Sequence, residues 1–323
     1  MTPSTFVARL LPILLGTSVL CSAHAAVPVI DLGLASGYSG FFYGNVSNVV
    51  DVEGRLAVGG NLSTSGMSVG YRTPYGVTGP SLVVGGNVSL SSGDIFTGPK
   101  TNVNTNATVG PITEYTKEKG YGVYGGSKTG SSGYHDLRQQ TGVVNFAAAK
   151  TQLTKLSSDL NKTAANGIVE LKWGGIYLTG DNSSDLQVFN VSSSELGNLV
   201  LQNVKSTANV VINVTGGGMV TFSGGQDGQM KSMRDRLIYN LVNATDISMS
   251  TFAYGTVLAN NAILSAGGGH LEGSIIAKGM STKVEIGYEP FHPTSPVPEP
   301  ETYAMLLAGL GLVGFMARRR KAA

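Results

Sequence analysis

The stretch that decides the fold is Leu56-Ala57-Val58-Gly59-Gly60-Asn61-Leu62, which returns further along the chain as Leu82-Val83-Val84-Gly85-Gly86-Asn87-Val88. Each copy places a short apolar run before two glycines and an asparagine. Glycine reaches positive φ freely and asparagine tolerates the left-handed region, so this tripeptide suits a backbone corner. Repeats at such short intervals are typical of stacked coils, in which each coil buries its apolar side against the next.

Other short apolar runs, bounded by Gly, Asn or Ser, support the same interpretation. They are Ile176 to Leu178, Leu186 to Val191, Leu199 to Val204, Val210 to Val214 and Met219 to Phe222. We therefore predict a mostly β fold, a right-handed β-solenoid-like domain with one long packed α-helix. A β-sandwich is the alternative that this pattern leaves open.

One segment, Val144 to Lys162, has helical rather than β periodicity. Its apolar residues are spaced by three or four positions, at Phe146, Ala149, Leu153, Leu156 and Leu160. This spacing places them on one face of an amphipathic helix. We predict that the helix packs along the solenoid and covers an apolar flank.

The N-terminus has the pattern of a signal peptide, which we assign to residues 1–25. Arg9 precedes the apolar run Leu10 to Leu20, and Ala23 and Ala25 stand at the −3 and −1 positions of a cleavage site. Cys21 is the only cysteine of the chain, so the mature protein is expected to have neither disulfides nor a thiolate nucleophile.

The C-terminal residues 298–323 combine three features without interruption. Pro298-Glu299-Pro300 is followed by the apolar segment Tyr303 to Ala317 and then by Arg318-Arg319-Arg320-Lys321. A helix formed by this apolar segment spans only about 22 Å, and a bilayer core is about 30 Å thick. The basic end should stay cytoplasmic by the positive-inside rule, leaving the preceding chain outside.

This order resembles the PEP-CTERM sorting signal of Gram-negative bacteria. The resemblance implies export across the inner membrane, transient insertion of the tail, and processing by an exosortase-type membrane protease. An ordinary C-terminal transmembrane anchor is the alternative.

Residues 26–297 form the predicted mature domain, which is almost neutral. Without Arg9 and the charges of the tail, 17 basic and 18 acidic residues remain. A nucleic-acid-binding domain normally carries a basic footprint. No nucleic acid is therefore expected as a partner.

Four segments of this domain resemble the choice-of-anchor A family of bacterial surface proteins. They are Phe41-Phe42-Tyr43-Gly44 with Asp51 to Asn61, Val144 to Ala149, Gly255 to Ala259, and Gly273 to Ala277. The resemblance implies adhesion rather than catalysis. The strand-and-helix order is also similar to the ice-binding β-solenoid fold, mainly over Tyr239 to Ala277. Neither resemblance supplies catalytic residues.

Candidate chemistry from the residues themselves is sparse. His135-Asp136 is an adjacent acid–imidazole pair, for which we predict a solvated loop rather than a catalytic dyad. His270 and Glu272 could bind a metal, but further ligands are not evident in the sequence. We therefore expect no metal site, no cofactor and no enzymatic activity.

Acid pairs of the kind used in glycoside cleavage are also weak here. Asp181 and Asp185 flank an Asn-Ser-Ser turn, where aspartate more often caps the backbone. Asp227, in Gly-Gly-Gln-Asp-Gly, resembles a fragment of a calcium-binding repeat that does not recur.

Aromatic residues could stack on sugar rings. We predict that Trp173, beside Leu171 and Ile176, belongs to the core. The segment Tyr121 to Gly133 is rich in Gly and Ser and is predicted to be a surface loop. The tyrosines in or near it form a candidate contact surface: Tyr115, Tyr121, Tyr124 and Tyr134.

Together these observations predict a secreted or cell-surface adhesive protein of the extracellular matrix or biofilm, with exopolysaccharide or another surface polymer as a candidate partner. The alternatives are a carbohydrate-active enzyme built on a β-helix and an ice-binding protein.

Overall fold

The computed structural model describes residues 29–98, 118–130 and 136–294. The first range contains β1 (Gly40–Phe42), β2 (Val46–Ser47), β3 (Asp51–Val52), β4 (Leu56–Val58), β5 (Leu62–Thr64), β6 (Met67–Val69), β7 (Leu82–Val84), β8 (Val88–Leu90) and β9 (Gly93–Ile95). The second contains β10 (Gly122–Tyr124) and β11 (Lys128–Thr129).

The third range begins with β12 (Leu137–Gln139), α1 (Phe146–Lys162), β13 (Ile168–Lys172), β14 (Gly175–Thr179), β15 (Leu186–Val191), β16 (Glu195–Leu196), β17 (Asn198–Gln202), β18 (Asn209–Val214), β19 (Gly218–Phe222) and β20 (Gln226–Gly228). It ends with β21 (Leu237–Leu241), β22 (Ala244–Met249), β23 (Phe252–Tyr254), β24 (Thr256–Gly267), β25 (His270–Glu272), β26 (Ile275–Met280) and β27 (Glu285–Ile286). Short 3₁₀ helices occupy Gly33–Gly37 and Lys231–Arg236.

The strands stack into three faces of a β-solenoid. Face A consists, in spatial order, of β12, β10, β7, β4, β1, β26, β24, β21, β18 and β15. Face B consists of β11, β8, β5, β2, the distal halves of β26 and β24, β22, β19 and β16. Face C consists of β9, β6, β3, β27, β25 and β23, followed by β20, β17, β14 and β13. Every pairing between these strands is parallel except that of β13 with β14, which confirms the solenoid over the sandwich. The handedness stays a prediction.

The repeat in the sequence marks one turn of this solenoid. Leu56 pairs with Leu82 on face A and Leu62 pairs with Val88 on face B, so the two copies stack in register. Other coils differ widely in length. The coil that joins Leu82 to its partner Gly122 is more than twice as long as the one that joins Gly40 to Leu56. The repeat therefore identified a coil but not a constant period.

Face A explains why the strand motif is apolar without alternation. Leu56 and Val58 point into the solenoid, while Ala57 points outward against α1. Strands buried on both faces lose the alternation of polar and apolar residues. Face B is covered on one side only, and Leu62-Ser63-Thr64 accordingly has an exposed serine between two buried side chains.

Helix α1 lies along face A as predicted. Ala149, Leu153, Leu156 and Leu160 are its buried residues. Asn145 caps the helix by accepting a hydrogen bond from the backbone N–H of Ala148 at 3.0 Å.

Three buried asparagines of the solenoid fix the helix position. The side-chain amides of Asn260, Asn240 and Asn213 donate to the backbone carbonyl oxygens of Leu153, Ser157 and Leu160, at 2.9 to 3.0 Å. Apolar packing therefore buries one side of the helix, and the hydrogen bonds from the asparagines fix its register on face A.

The order of coils in space differs from their order in the sequence. From β1 the chain winds outward to β12, returns along the side as α1, and restarts at the opposite end with β13. It then winds back until β26 pairs with β1 and β27 pairs with β3. The first and last coils thus meet in the middle of the solenoid, at a contact that we call the central seam.

Two findings concern a predicted loop and the helices of the described chain. The segment Tyr121 to Gly133, predicted to be a loop, instead contributes β10 and β11 to faces A and B, so that prediction was wrong. Within the described ranges, no helix has the length and apolar character needed to cross a membrane.

Candidate functional site

Face A is covered by α1, so among the described residues faces B and C are the surfaces open to a ligand. Face B carries a line of hydroxyl side chains across neighbouring coils, in two runs. Thr129 pairs with Ser89, Ser89 with Ser63, and Ser63 with Ser47. On the other half of the solenoid Ser248 pairs with Thr221. We call these six residues the hydroxyl row.

The row crosses the central seam beside Ser281, which follows Met280, the seam partner of Val46. On β24 it meets a bulge, where Ser248 pairs with Ala266. Thr129 and Ser63 are exposed, and the other members are half-buried. Coils in a parallel sheet lie about 4.8 Å apart, so the row presents a hydroxyl at nearly every such step.

An asparagine ladder at the corner between faces A and B holds the row in place. The side-chain oxygen of Asn45 accepts from the backbone N–H of Asn61, that of Asn61 from Asn87, and that of Asn87 from Ser127, each at 2.8 Å. The side-chain oxygens satisfy N–H groups at the turn, where the backbone ladder is interrupted. In the sequence the row is marked by the Asn-x-Ser spacing, which is repeated from Asn45, Asn61 and Asn87.

Glycines let the corners stack closely. A Cβ on Gly85 would lie 2.5 Å from the carbonyl oxygen of Gly59, and one on Gly125 would lie 2.3 Å from that of Gly85. Real Cβ atoms do not come so near, so any other residue would push the coils apart. The glycines of the repeat are thus required here for space between coils.

Face C carries a buried network of charges at the central seam. The guanidinium of Arg72 forms ion pairs with Glu53 and with Glu272, whose carboxylate oxygen lies 3.1 Å away. Glu53 also accepts a hydrogen bond from the backbone N–H of Tyr288 at 3.1 Å. These three charged residues are at most 5% exposed. Glu272 comes from the last coils and Glu53 from the first, so Arg72 links the two across the seam.

His270 extends this network to the surface. Its Nε2 lies 2.9 Å from a carboxylate oxygen of Glu272, and its Nδ1 lies 3.2 Å from Glu285. The exposed ring of Phe252 stacks on the imidazole with centroids 4.3 Å apart. An open groove of about 540 Å³ is lined by Asp51, Phe252, His270 and Glu285.

Burial and neighbouring charges shift several pKa values in this network. Burial raises the pKa of Asp51 to about 6; Glu285 adds to this effect, and Tyr71 and His270 oppose it. Burial alone would lower the pKa of His270, but its contacts with Glu272 and Glu285 raise it above the usual value. Burial would raise the pKa of Glu272, but His270 and Arg72 bring it below the usual range.

The structure places a third possible metal ligand beside the two that the sequence suggested. Ligand atoms of Glu53, His270 and Glu272 all lie within 4.8 Å of one another. Arg72, however, already pairs with both carboxylates, and a divalent cation would have to compete with this buried guanidinium. The geometry is that of an ion-pair network, and the expectation of no metal stays a prediction.

The acid pair Asp181 and Asp185 has structural roles. Asp181 accepts from the backbone N–H groups of Ser183 and Ser184, both at 2.9 Å, which confirms the predicted turn cap. Burial is the largest single influence on the pKa of Asp181 and raises it, but the hydrogen bonds from Ser184 and Ser183 together bring this pKa down to about 2. Asp185 pairs with Lys205 at 2.6 Å. Asp227 is exposed and accepts from the backbone N–H of Gly228.

The remaining sequence candidates are scattered. Asp136 pairs with Arg138 at 2.6 Å, and His135 lies outside the described residues. The guanidinium of Arg138 lies 3.8 Å from the ring centroid of Tyr121. Tyr124 packs partly against the core. Tyr115 and Tyr134 lie outside the described residues, as do the signal-peptide residues Ala23 and Ala25 and the whole tail from Pro298 to Arg320.

The prediction that Trp173 belongs to the core was wrong. Its side chain is 82% exposed, and that of Leu171 is 78% exposed, whereas Ile176 is buried. Trp173 and Gly174 both have positive φ, 51° and 74°, in the two-residue turn between β13 and β14. Such a turn joins antiparallel strands, and β13 is the terminal strand of face C. Beyond it the described chain has no further strand that could cover these side chains.

Comparison with known families assigns the two parts of the chain separately. Residues 31–288 match the family described as "Putative Ice-binding-like adhesive domain", and residues 296–321 match the PEP-CTERM protein-sorting motif. These are adhesive and sorting families rather than enzyme families. The motif implies processing by an exosortase, a membrane protease, and export to the cell surface or the extracellular space.

Solved structures similar to this chain include ice-binding proteins of low sequence identity. One, from the Antarctic ascomycete Antarctomyces psychrotrophicus, is 13% identical with a TM-score of 0.35, and the match covers 82% of this chain and 98% of that one. A glycosylated ice-binding protein from an Arctic yeast is 14% identical with a TM-score of 0.34, covering 84% and 96%. An ice-binding protein from an Antarctic biological consortium is 16% identical with a TM-score of 0.33, covering 81% and 91%. No curated protein matches the chain.

Proposed function

The chain belongs to the ice-binding-like adhesive domain family, and from this premise we propose that it is a surface or matrix adhesin that binds extracellular polymer through face B. The hydroxyl row is the observation that carries the proposal. Each hydroxyl both donates and accepts hydrogen bonds, as do the hydroxyls of a glycan. A polymer lying along the row would make many weak contacts that add up to firm retention.

The finer assignments belong to the same proposal. The adhesin is a choice-of-anchor A protein of a Gram-negative biofilm, and exopolysaccharide is the candidate polymer. Signal peptidase removes residues 1–25 after Ala25, residues 26–297 form the adhesive domain, and residues 298–323 form the sorting signal. The absence of enzymatic activity is part of the proposal, supported by the structural roles of Asp181 and Asp185.

The test targets the hydroxyl row on the secreted domain. We expect Ser63→Lys to lower retention on immobilised exopolysaccharide at least several-fold, because the long cation blocks the line of hydroxyls between Ser47 and Ser89. Thr154→Lys is the matched control, since Thr154 is exposed on the outer side of α1. Equal retention of both variants and the parent chain would rule out face B as the binding surface.

In cells, deletion of residues 27–297 should abolish aggregation or biofilm formation.

Ice binding is the second candidate function, favoured by the family match and by the regular spacing of the row. It would require a hydroxyl surface that is flat as well as regular. Half-buried Asp246 and Ile263, which pair beside Ser248, make that part of face B chemically mixed. Thermal hysteresis that Ser63→Lys abolishes and Thr154→Lys leaves intact would favour ice over polymer.

A further inference from the structure

The end of the solenoid formed by β13 exposes an unusual set of apolar side chains. Ile168 is 63% exposed, Leu171 78% and Trp173 82%. The amino group of Lys172 lies 5.0 Å from the Trp173 ring centroid and 4.8 Å from that of Tyr177. We call this surface, with the groove of about 440 Å³ beside it, the terminal patch. Large exposed apolar patches mark surfaces that meet a partner or a membrane.

The last described residues lead the chain towards this end. From the central seam, Glu289 pairs with Arg234 at 2.8 Å, and the backbone N–H of His292 donates to the carbonyl oxygen of Asp235 at 2.7 Å. Thr294 then exchanges two hydrogen bonds with the side chain of Asn209, both at 3.0 Å. Asn209 pairs with Leu186 of β15, the terminal strand of face A. The chain therefore passes beyond Thr294 one coil from the end that carries the terminal patch.

The apolar segment of the sorting signal begins close by in the sequence. Only the short stretch 295–302 separates Thr294 from Tyr303. A chain of this length reaches at most about 28 Å even when fully extended. A membrane holding that segment would therefore lie near the terminal patch and not near the opposite end of the solenoid.

The composition of the patch fits a lipid surface. Tryptophan concentrates at membrane interfaces, where its ring meets the acyl boundary and its N–H stays hydrated. Lys172 pairs with Glu170 at 2.8 Å, so the two side chains together add no net charge and the apolar side chains carry the argument for lipid. Ile168 and Leu171 lie on opposite sides of β13, and both add exposed apolar surface to this end of the solenoid.

We propose that, before exosortase removes the tail, the terminal patch rests on the membrane and holds the solenoid end-on to it. This inference rests on the proposed sorting of a tail-bearing precursor. Docking would restrict the region around Pro298 to the membrane surface, where a membrane protease acts. After cleavage the patch alone holds the domain weakly, and the adhesin is released.

The sole tryptophan of the chain makes the proposal directly measurable. The tail-bearing precursor, residues 26–323, is assembled into nanodiscs of anionic phospholipid, with one chain per disc, using either ordinary or brominated acyl chains. We expect Trp173 emission to shift to shorter wavelength and to fall about twofold with brominated lipid, as for a ring at the headgroup boundary. Emission at the aqueous wavelength, insensitive to bromine, would overturn the proposal.

Two variants separate docking from other causes. Ile168→Ser with Leu171→Ser keeps the reporter and should abolish the quenching, while circular dichroism checks that the fold persists. Trp173→Phe with Tyr75→Trp moves the reporter to a half-exposed loop far from the patch and should show no quenching. Quenching of both reporters would mean non-specific adsorption. A blue shift that is independent of bromine would indicate a second copy covering the patch. Either result refutes membrane docking.

Flotation with vesicles distinguishes failure of the inference from failure of its premise. A chain that floats while Trp173 stays unquenched keeps its tail in the membrane without docking, so the inference alone is refuted. A chain that does not float refutes the tethered precursor as well.

Discussion

At the scale of single residues, the charged groups on face C are arranged around one central cation. Arg72 satisfies two buried carboxylates that come from opposite ends of the folded sequence. Asp51 is a carboxylate of this face that Arg72 does not pair with, and its buried Oδ1 has no hydrogen-bond partner among the described residues. The next residue, Val52, pairs with Ile286 across the seam, and burial, together with the like charge of Glu285, raises the pKa of Asp51. The carboxylates at the centre of the network are therefore paired with a cation, whereas the negative charge of Asp51 at its edge is unfavourable.

We predict that stability falls as pH rises from about 5 to 8. The pKa of Asp51 is raised in the folded protein to about 6 from 3.8, so its contribution is full at low pH and lost by about pH 6. The raised pKa of His270 makes a contribution that is present below 6.5 and lost at higher pH. Glu272, whose pKa is lowered, opposes this trend only in more acidic solution.

Thermal unfolding across this range tests the assignment to Asp51. Asp51→Asn should raise the melting temperature at pH 8 and flatten its pH dependence, because the amide needs no proton to become neutral. The same change at exposed Asp227 serves as the control. A pH profile that is the same in Asp51→Asn and the parent chain would contradict the assignment.

At the scale of elements, the coil corners are the feature on which stacking depends. The corner asparagines bond from coil to coil, and the adjacent glycines let the carbonyl of one coil approach the next. The third copy, Tyr124-Gly125-Gly126-Ser127, replaces asparagine by serine. That substitution hid the third coil from sequence analysis, although Asn87 still bonds to the backbone of Ser127.

Gly85→Ala should destabilise the protein by about 1 to 3 kcal/mol, because its Cβ would force neighbouring coils apart. Denaturant unfolding measures this loss. Gly268→Ala is the matched control, since a Cβ there would meet nothing within 4 Å and the residue does not require positive φ. Equal losses in both variants would show that backbone flexibility, rather than close approach, governs the corner.

At the scale of the whole molecule, the central seam joins the two halves of the solenoid. β1 and β26 pair there, and Arg72 bridges Glu53 to Glu272 across it. Arg72→Met should cost about 3 to 5 kcal/mol, because it leaves the buried carboxylate of Glu53 without a cation and Glu272 with His270 alone. Hydrogen exchange should then show protection lost first in the seam strands.

The triple change Arg72→Met, Glu53→Gln and Glu272→Gln tests that reason. Removing the charges together with the cation should restore much of the lost stability. If the triple variant is no more stable than Arg72→Met, the guanidinium stabilises the seam by its packing rather than by its charge.

The sequence by itself determined the kinds of element and their local order. Three local patterns predicted the coils and the helix: the Gly-Gly-Asn corners, the apolar runs without alternation, and the spacing from Phe146 to Leu160. Each pattern depends on contacts between residues that are close in the sequence. The sorting motif of the tail was likewise recognised from the sequence alone, and the family match at residues 296–321 confirms it.

Only the tertiary structure decided which coils are neighbours and which side chains share a surface. The pairing of β1 with β26 joins strands near opposite ends of the described chain, and no local periodicity encodes it. It brings Arg72 and Glu272 together, aligns the hydroxyl row, and leaves Trp173 exposed at the end rather than in the core. The physical reason is that burial depends on what stacks next to a strand, and within the described residues β13 has a neighbouring strand on one side only.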